Sequence, residues 1–444
     1  MSTGLTHARI PQETHRRQCL LLGLVEYGIG PVAALVALPI LFRQLGTVGF
    51  GQYSMIIALA GFGNAANLGA AVTATKLVSE RMHEPGGAYR AAGVSMSLIG
   101  CALAVVTLAA VLLWGVVGLG WPEATFGGVA VTMLAMPALA IYLTQQYDQL
   151  FSGCLKGRED FRATALCEVF SRTGTMGLAC AAAWMTASPT WTGLAQALGL
   201  LVAGSVKMRV FARTYGRIVV RPVRDRAAMM DAFRFSRWSW LNSLSALAFG
   251  SVDRVLVGSL MGPAALAIYT VGVQVGQIIH TASVAIFQKA MPRVTRLSVS
   301  PPYPGAVERE IRRMMLWNLA LSASATLAVL AVSHPLLNLL LGDNVATGHL
   351  GTFQLLIVAS GLLSLNAAAH FSLLGLGNSR AVAILNGLGG LAMLCVMAGL
   401  VHAAGEHAAA WGRMAYAAIT LAGVALAIRQ SRPDFPGALP AATR

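Results

Sequence analysis

The chain has 444 residues, of which 56% are hydrophobic and only 11% charged, with a mean hydropathy of +0.66; soluble domains carry about a quarter of charged residues, so a soluble enzyme or binding module is excluded. The formal net charge of +15 raises nucleic acid as a partner, but in so apolar a chain a basic excess marks loops held on the cytoplasmic side of a membrane. Cys19, Cys101, Cys154, Cys167, Cys180 and Cys395 stand singly in apolar runs, without CxxC or paired spacing, so neither a disulfide framework nor a zinc site is indicated.

A helix needs roughly 20 apolar residues to cross the hydrocarbon layer, and only helices or closed barrels satisfy their backbone there. Segmenting the chain on that basis predicts twelve spans: Cys19 to Leu41, Gln52 to Thr75, Ala91 to Val117, Thr125 to Leu150, Phe161 to Thr186, Trp191 to Phe211, Trp238 to Gly258, Ala264 to Phe287, Leu316 to Val332, Phe353 to Leu376, Val382 to Val401 and Ala408 to Ile428. The amino terminus is polar through Arg17 and its first apolar run is long and followed by others, which reads as a first span and not as a cleaved signal peptide.

In chain order, the first unusual residue is Glu26, about a third of the way into span one and just before Gly28-Ile29-Gly30-Pro31, which kinks the helix. Arg43 follows in the turn to span two, close enough to the surface to snorkel. In span five Glu168 and Arg172 stand four apart on one helix face, either neutralising each other or serving a cavity. A basic run from Lys207 to Arg237, containing Pro222, reads as a linker between lobes spanning residues 1–220 and 221–444. Asp253 and Arg254, near the end of span seven, are adjacent and hence about 100° apart on a helix. They cannot both point the same way; Asp253 suits a structural anchor and Arg254 a cavity wall. His280 and His370 read as packed, hydrogen-bonded histidines, and Arg413 enters span twelve from its outer end.

Orientation follows from the basic residues. With a cytoplasmic amino terminus, the inside segments collect Arg9, Arg16, Arg17, Lys76, Arg81, Arg90, Lys156, Arg158, Arg162 and the run from Lys207 to Arg237, whereas the outside loops hold Arg43 alone. Both termini are then cytoplasmic, in an inner (plasma) membrane, and the basic loops face anionic lipid; nucleic acid is not expected as a partner.

An internal echo supports duplication. A shift of 216 positions puts Gly46 on Gly262, Gly51 on Ala267 and Tyr53 on Tyr269, and "FSGCLKGREDFR" from Phe151 echoes "FSLLGLGNSRAV" from Phe371. Six spans per half would leave the halves in like orientation about a pseudo-twofold axis along the membrane normal. The same shift sets Glu26 on Asn242, one polar side chain at one level in each lobe, suited to cavity lining or proton coupling.

The stretches "LPILFRQLGTVGFGQYSMI", "FSGCLKGREDF" and "VDRVLVGSLMGPAALAIYTVG" followed by "AMPRVTRL" resemble the polysaccharide transporter branch of the multidrug/oligosaccharidyl-lipid/polysaccharide exporter superfamily, the Wzx-type flippases. The resemblance implies an all-α polytopic fold of two six-helix bundles around a central cavity. It further implies movement of a polyprenyl-diphosphate-linked oligosaccharide between leaflets, with a polysaccharide polymerase and a chain-length regulator as further partners.

Intramembrane charges are costly and persist where they face protein or a wet cavity. On that ground the candidate substrate-binding residues are Arg254, Arg172, Glu26, Asp253, Arg413, Arg43 and Asn242, with arginine suited to a diphosphate. No cofactor or metal motif is found. A membrane-embedded polymerase or ligase would need an acid, base or nucleophile cluster on a sizeable loop, but the longest outside connection, Ser333 to Gly351, offers only His334, Asp343 and His349. The closer rival is a cation-coupled small-molecule exporter of the same fold, whose site would favour acidic and aromatic residues over arginines.

Overall fold

The computed structural model describes residues 12–63, 70–120, 125–233, 250–288, 290–299 and 302–432. Among the described residues the chain is all-α apart from one hairpin. Its helices are α1 (Gln12–Gly63), α2 (Ala70–Glu80), α3 (Gly87–Gly120), α4 (Val131–Gly157), α5 (Phe161–Thr186) and α6 (Pro189–Arg213), then α7 (Val252–Phe287), α8 (Ala290–Val299), α9 (Ala306–Ala331), α10 (Ser333–Leu341), α11 (Asp343–Gly375), α12 (Ser379–Ala404) and α13 (His407–Gln430). Among the described residues, eight helices are long and apolar enough to cross a membrane. The described helices are those of the all-α polytopic fold expected.

Most predicted spans fall on helices, and the departures have local causes. Span two is shared between the second half of α1 and α2, and residues 238–249 of predicted span seven lie outside the described residues. Thr125 to Ala130, assigned to span four, instead form an antiparallel hairpin of Thr125–Phe126 and Val129–Ala130. Gly127 and Gly128, both at positive φ, supply the turn that a helix would not allow. The predicted loop from Ser333 to Gly351 is mostly helical, as α10 and the start of α11.

α1 and α7 each contain two spans joined at a glycine. Gly46 has φ 67° and ψ 177°, and Gly262 has φ 85° and ψ 179°, a region of backbone space open essentially to glycine alone. The echo between these two turns is thus a conformational identity as well as a sequence one. A second pair repeats it at the opposite face. Thr75 Oγ1 of α2 donates to the Gly153 carbonyl of α4 at 3.0 Å, and Thr295 Oγ1 of α8 donates to the Gly375 carbonyl of α11 at 3.0 Å.

The halves meet along α1 and α7. Leu38, Leu41, Phe42 and Phe50 of α1 pack with Ala267, Ile268, Val271 and Val275 of α7 in one buried apolar cluster that also takes in Leu337 and Leu340 of α10. At the face where the Gly46 and Gly262 turns lie, Gly51 sits so close to the Pro263 backbone that a Cβ would collide with it. The hairpin lies over this seam, where Gln52 Nε2 donates to the Phe126 and Gly127 carbonyls at 3.0 and 2.8 Å. Gly51→Ala is therefore expected to lower stability by about 1–3 kcal/mol, the usual cost of overpacking, measured as a lower thermal midpoint of the detergent-solubilised protein. A wild-type midpoint would refute the tight seam.

Candidate functional site

Among the described residues, three sites that carry charged side chains into the apolar packing bear on function. The first lies in the seam between the halves, where a small pocket of about 110 Å³ is bounded by Leu38, Tyr53 and Ser54 of α1, Met176 of α5, Gln196 of α6 and Arg254, Thr270 and Gln274 of α7. Tyr53 Oη donates to Gln196 Oε1 at 2.6 Å. Arg254 is the charged residue of this lining. Its Nε is buried and has no hydrogen-bond partner among the described residues. Desolvating a guanidinium N–H without a partner is costly, so a site that keeps one is suited to an anionic guest.

The second site is the neighbour of the first along α7, and its carboxylate is fully buried and paired. Asp253, 0% exposed, accepts from Tyr269 Oη at 2.6 Å and from Arg413 Nη2 at 3.0 Å, and Arg413 Nε donates to Tyr269 Oη at 2.8 Å. The Arg413 guanidinium also stands over the Tyr269 ring, 5.5 Å from its centroid. One residue's rotation about the helix thus separates a fully paired carboxylate from an under-paired guanidinium. Asp253 also accepts the Arg254 backbone N–H through Oδ1 at 2.7 Å, which pins the first turn of α7.

The third site lies within the first half, and sequence reasoning missed most of it. Lys207 of α6, only 1% exposed, places Nζ 2.8 Å from both Asp148 of α4 and Glu168 of α5. Ser152 Oγ donates to Glu168. Lys207, expected in the basic linker, is instead buried in the bundle, because two carboxylates from neighbouring helices compensate its charge. Arg172 does approach Glu168, at 3.6 Å, but its side chain is 46% exposed. Glu168 is thus chiefly the partner of Lys207, and Arg172 reaches toward Gly30 of α1.

The remaining expected residues disperse. Arg43 is exposed and donates from Nη2 to the Leu339 carbonyl at 3.4 Å, a brace between α1 and α10. Glu26 lies in α1, but its side chain is outside the described residues, as is Asn242 altogether. His370 packs edge-on against Phe371, with centroids 5.2 Å apart. His280 Nδ1 is buried without a partner among the described residues, so the expectation of a hydrogen-bonded histidine fails at that atom. In the former outside loop, His349 Nδ1 meets Glu406 at 2.8 Å and Thr352 Oγ1 donates to Glu406 at 2.8 Å, tying α11 to the connection before α13. No group of three or more metal-ligating side chains occurs among the described residues.

Residues 19–298 match the family model described as polysaccharide biosynthesis protein. No curated protein matches the chain. Among solved structures, the chain is similar to an inward-facing conformation of a multidrug resistance MATE family transporter of the MOP superfamily, at 15% identity and a TM-score of 0.64 with 95% of each chain covered. An outward-facing conformation of such a transporter matches at 14% identity and a TM-score of 0.60, covering 93% of this chain and 95% of that one. A MOP superfamily transporter from Pyrococcus furiosus, described as having a binding pocket of reverse polarity, matches at 14% identity and a TM-score of 0.57, covering 94% and 96%. At these identities the likeness is one of fold.

Proposed function

The chain belongs to the polysaccharide biosynthesis protein family, and we propose that it is a flippase moving a polyprenyl-diphosphate-linked oligosaccharide across the inner membrane for surface polysaccharide assembly. The observation that carries this reading is Arg254, whose under-paired guanidinium faces the seam between the halves. A diphosphate offers the anionic oxygens that such a group lacks. Tyr53, Gln196 and Gln274 beside it supply donors and acceptors of the kind a sugar needs.

In this reading the lobes divide near residue 220 and rock about the α1–α7 seam, opening first to one side and then to the other. The basic bias of the loops supports an orientation with the Gly46 and Gly262 turns outside and both termini in the cytoplasm. Arg172, exposed beside Gly30, meets the diphosphate on entry, and Arg254 holds it deeper in the seam. The polyprenyl tail stays in lipid between helices. Glycine at position 51 lets the seam close because α1 and α7 touch there almost backbone to backbone.

Proteoliposomes carrying a fluorescent polyprenyl-diphosphate oligosaccharide test the proposal. The expected result is transbilayer movement well above that of protein-free vesicles. Absence of glycan movement, together with cation-driven efflux of a cationic drug, would assign the protein to small-molecule export instead.

A further inference from the structure

Within the second half lies a cavity of about 630 Å³, walled by α7, α11, α12 and α13, a volume typical of small-molecule sites, which run roughly from 300 to 1,000 Å³. Its polar lining comes from Gln277, His280, His370, Asn386, Arg413 and Tyr416. It extends from Arg413 to Ser379 at the start of α12. No carboxylate lines it among the described residues, since Asp253 is fully buried behind Arg413. A cation would therefore find no counter-charge there.

Arg413 is built to recognise something. Asp253 and Tyr269 hold its Nη2 and Nε, which fixes the plane of the guanidinium. Its Nη1 makes no hydrogen bond among the described residues. A planar fork immobilised on one edge is suited to an incoming carboxylate on the other. Beside it, the His280 Nδ1 is buried and unpartnered among the described residues, and Tyr416 Oη donates to Asn386 Oδ1 at 3.3 Å. Leu363, Val382 and Met393 supply apolar wall for the C–H faces of a ring.

We propose that this cavity is a second binding site, separate from the seam pocket of Arg254, and that it takes a pyranose bearing a carboxylate, a hexuronate-class sugar. The choice of a sugar rests on the flippase reading, whereas the preference for an acid over a cation rests on the lining alone. Because Asp253 pairs with Arg413, the expected discrimination against the uncharged sugar is about tenfold, near the lower end of what a hydrogen bond to a charged group contributes.

The test is saturation-transfer NMR on the full-length protein in lipid nanodiscs, with glucuronate, glucose and choline as probes. Glucuronate should bind about tenfold more strongly than glucose, choline should not bind, and His280→Ala and Asn386→Ala should each weaken glucuronate binding at least fivefold. His280→Ala removes no bond made by Nδ1 among the described residues, and a wild-type thermal midpoint for it and for Asn386→Ala is the check that the fold is kept. Arg254→Ala should leave glucuronate binding unchanged. Preference for choline, absence of glucuronate binding, or binding that is lost in Arg254→Ala but kept in His280→Ala and Asn386→Ala would each overturn the proposal. The two readings separate cleanly. His280- and Asn386-dependent glucuronate binding in a protein that flips no glycan would sustain this site and defeat the flippase, and flipping without such binding would do the reverse.

Discussion

Lys207→Met is expected to destabilise the protein by about 3–5 kcal/mol, the usual result of removing one member of a buried ion cluster. The substitution keeps the volume of the side chain but strands Asp148 and Glu168, both within 2.8 Å of the lost ammonium. Total stabilities are only about 5–15 kcal/mol, so the variant should lose its monodisperse peak on mild heating in detergent. The triple change Lys207→Met, Asp148→Asn, Glu168→Gln leaves no uncompensated charge and should recover most of that loss, because a neutral replacement of a buried ion cluster is often harmless. Equal thermal midpoints for wild type and Lys207→Met would show that the cluster holds nothing together.

Asp253→Ala and Arg254→Ala should have opposite consequences although the residues are neighbours. The first leaves the Arg413 guanidinium buried with Tyr269 alone and should cost about 3–5 kcal/mol. The second removes a side chain whose Nε has no partner among the described residues; its thermal midpoint should stay near that of wild type while transport falls. Charge-assisted hydrogen bonds are worth about 1.5–3 kcal/mol, so the rate should fall by about 10- to 100-fold. Thermal unfolding measured beside transport for both variants checks the contrast. A stable Asp253→Ala or an unstable Arg254→Ala would reverse the assignments of anchor and binding residue.

The spans were legible because the hydrocarbon layer imposes a length and a composition on any helix that crosses it. The turns were legible for a different reason. Gly46 and Gly262 stand in a conformation that other residues avoid, so both turns carry glycine while the flanking side chains differ. Tyr53 and Tyr269 show that difference: both are buried, but one hydroxyl binds Gln196 and the other the Asp253–Arg413 pair. Adjacency on a helix implies that Asp253 and Arg254 face different neighbours, and they do: one meets Tyr269 and Arg413, the other lines the seam pocket. The Lys207 cluster was not legible, because its members come from three helices and a lysine near the end of an apolar run looks like a snorkelling residue. One signal was present, since Asp148, Glu168 and Lys207 lie six to nine residues from the ends of their helices at one face and hence at one depth. The hairpin escaped because two glycines in an apolar run interrupt a helix without changing its hydropathy.

The central question is whether the guanidinium in the seam handles the diphosphate of a lipid-linked sugar. The most direct measurement is the transbilayer rate of a labelled polyprenyl-diphosphate oligosaccharide in proteoliposomes bearing wild type, Arg254→Lys or Arg254→Ala at equal reconstituted amounts. The rate should fall at least tenfold in Arg254→Ala, equivalent to about 1.4 kcal/mol of lost stabilisation, with Arg254→Lys in between because lysine keeps the charge but not the fork. Movement by Arg254→Ala at the wild-type rate would contradict it.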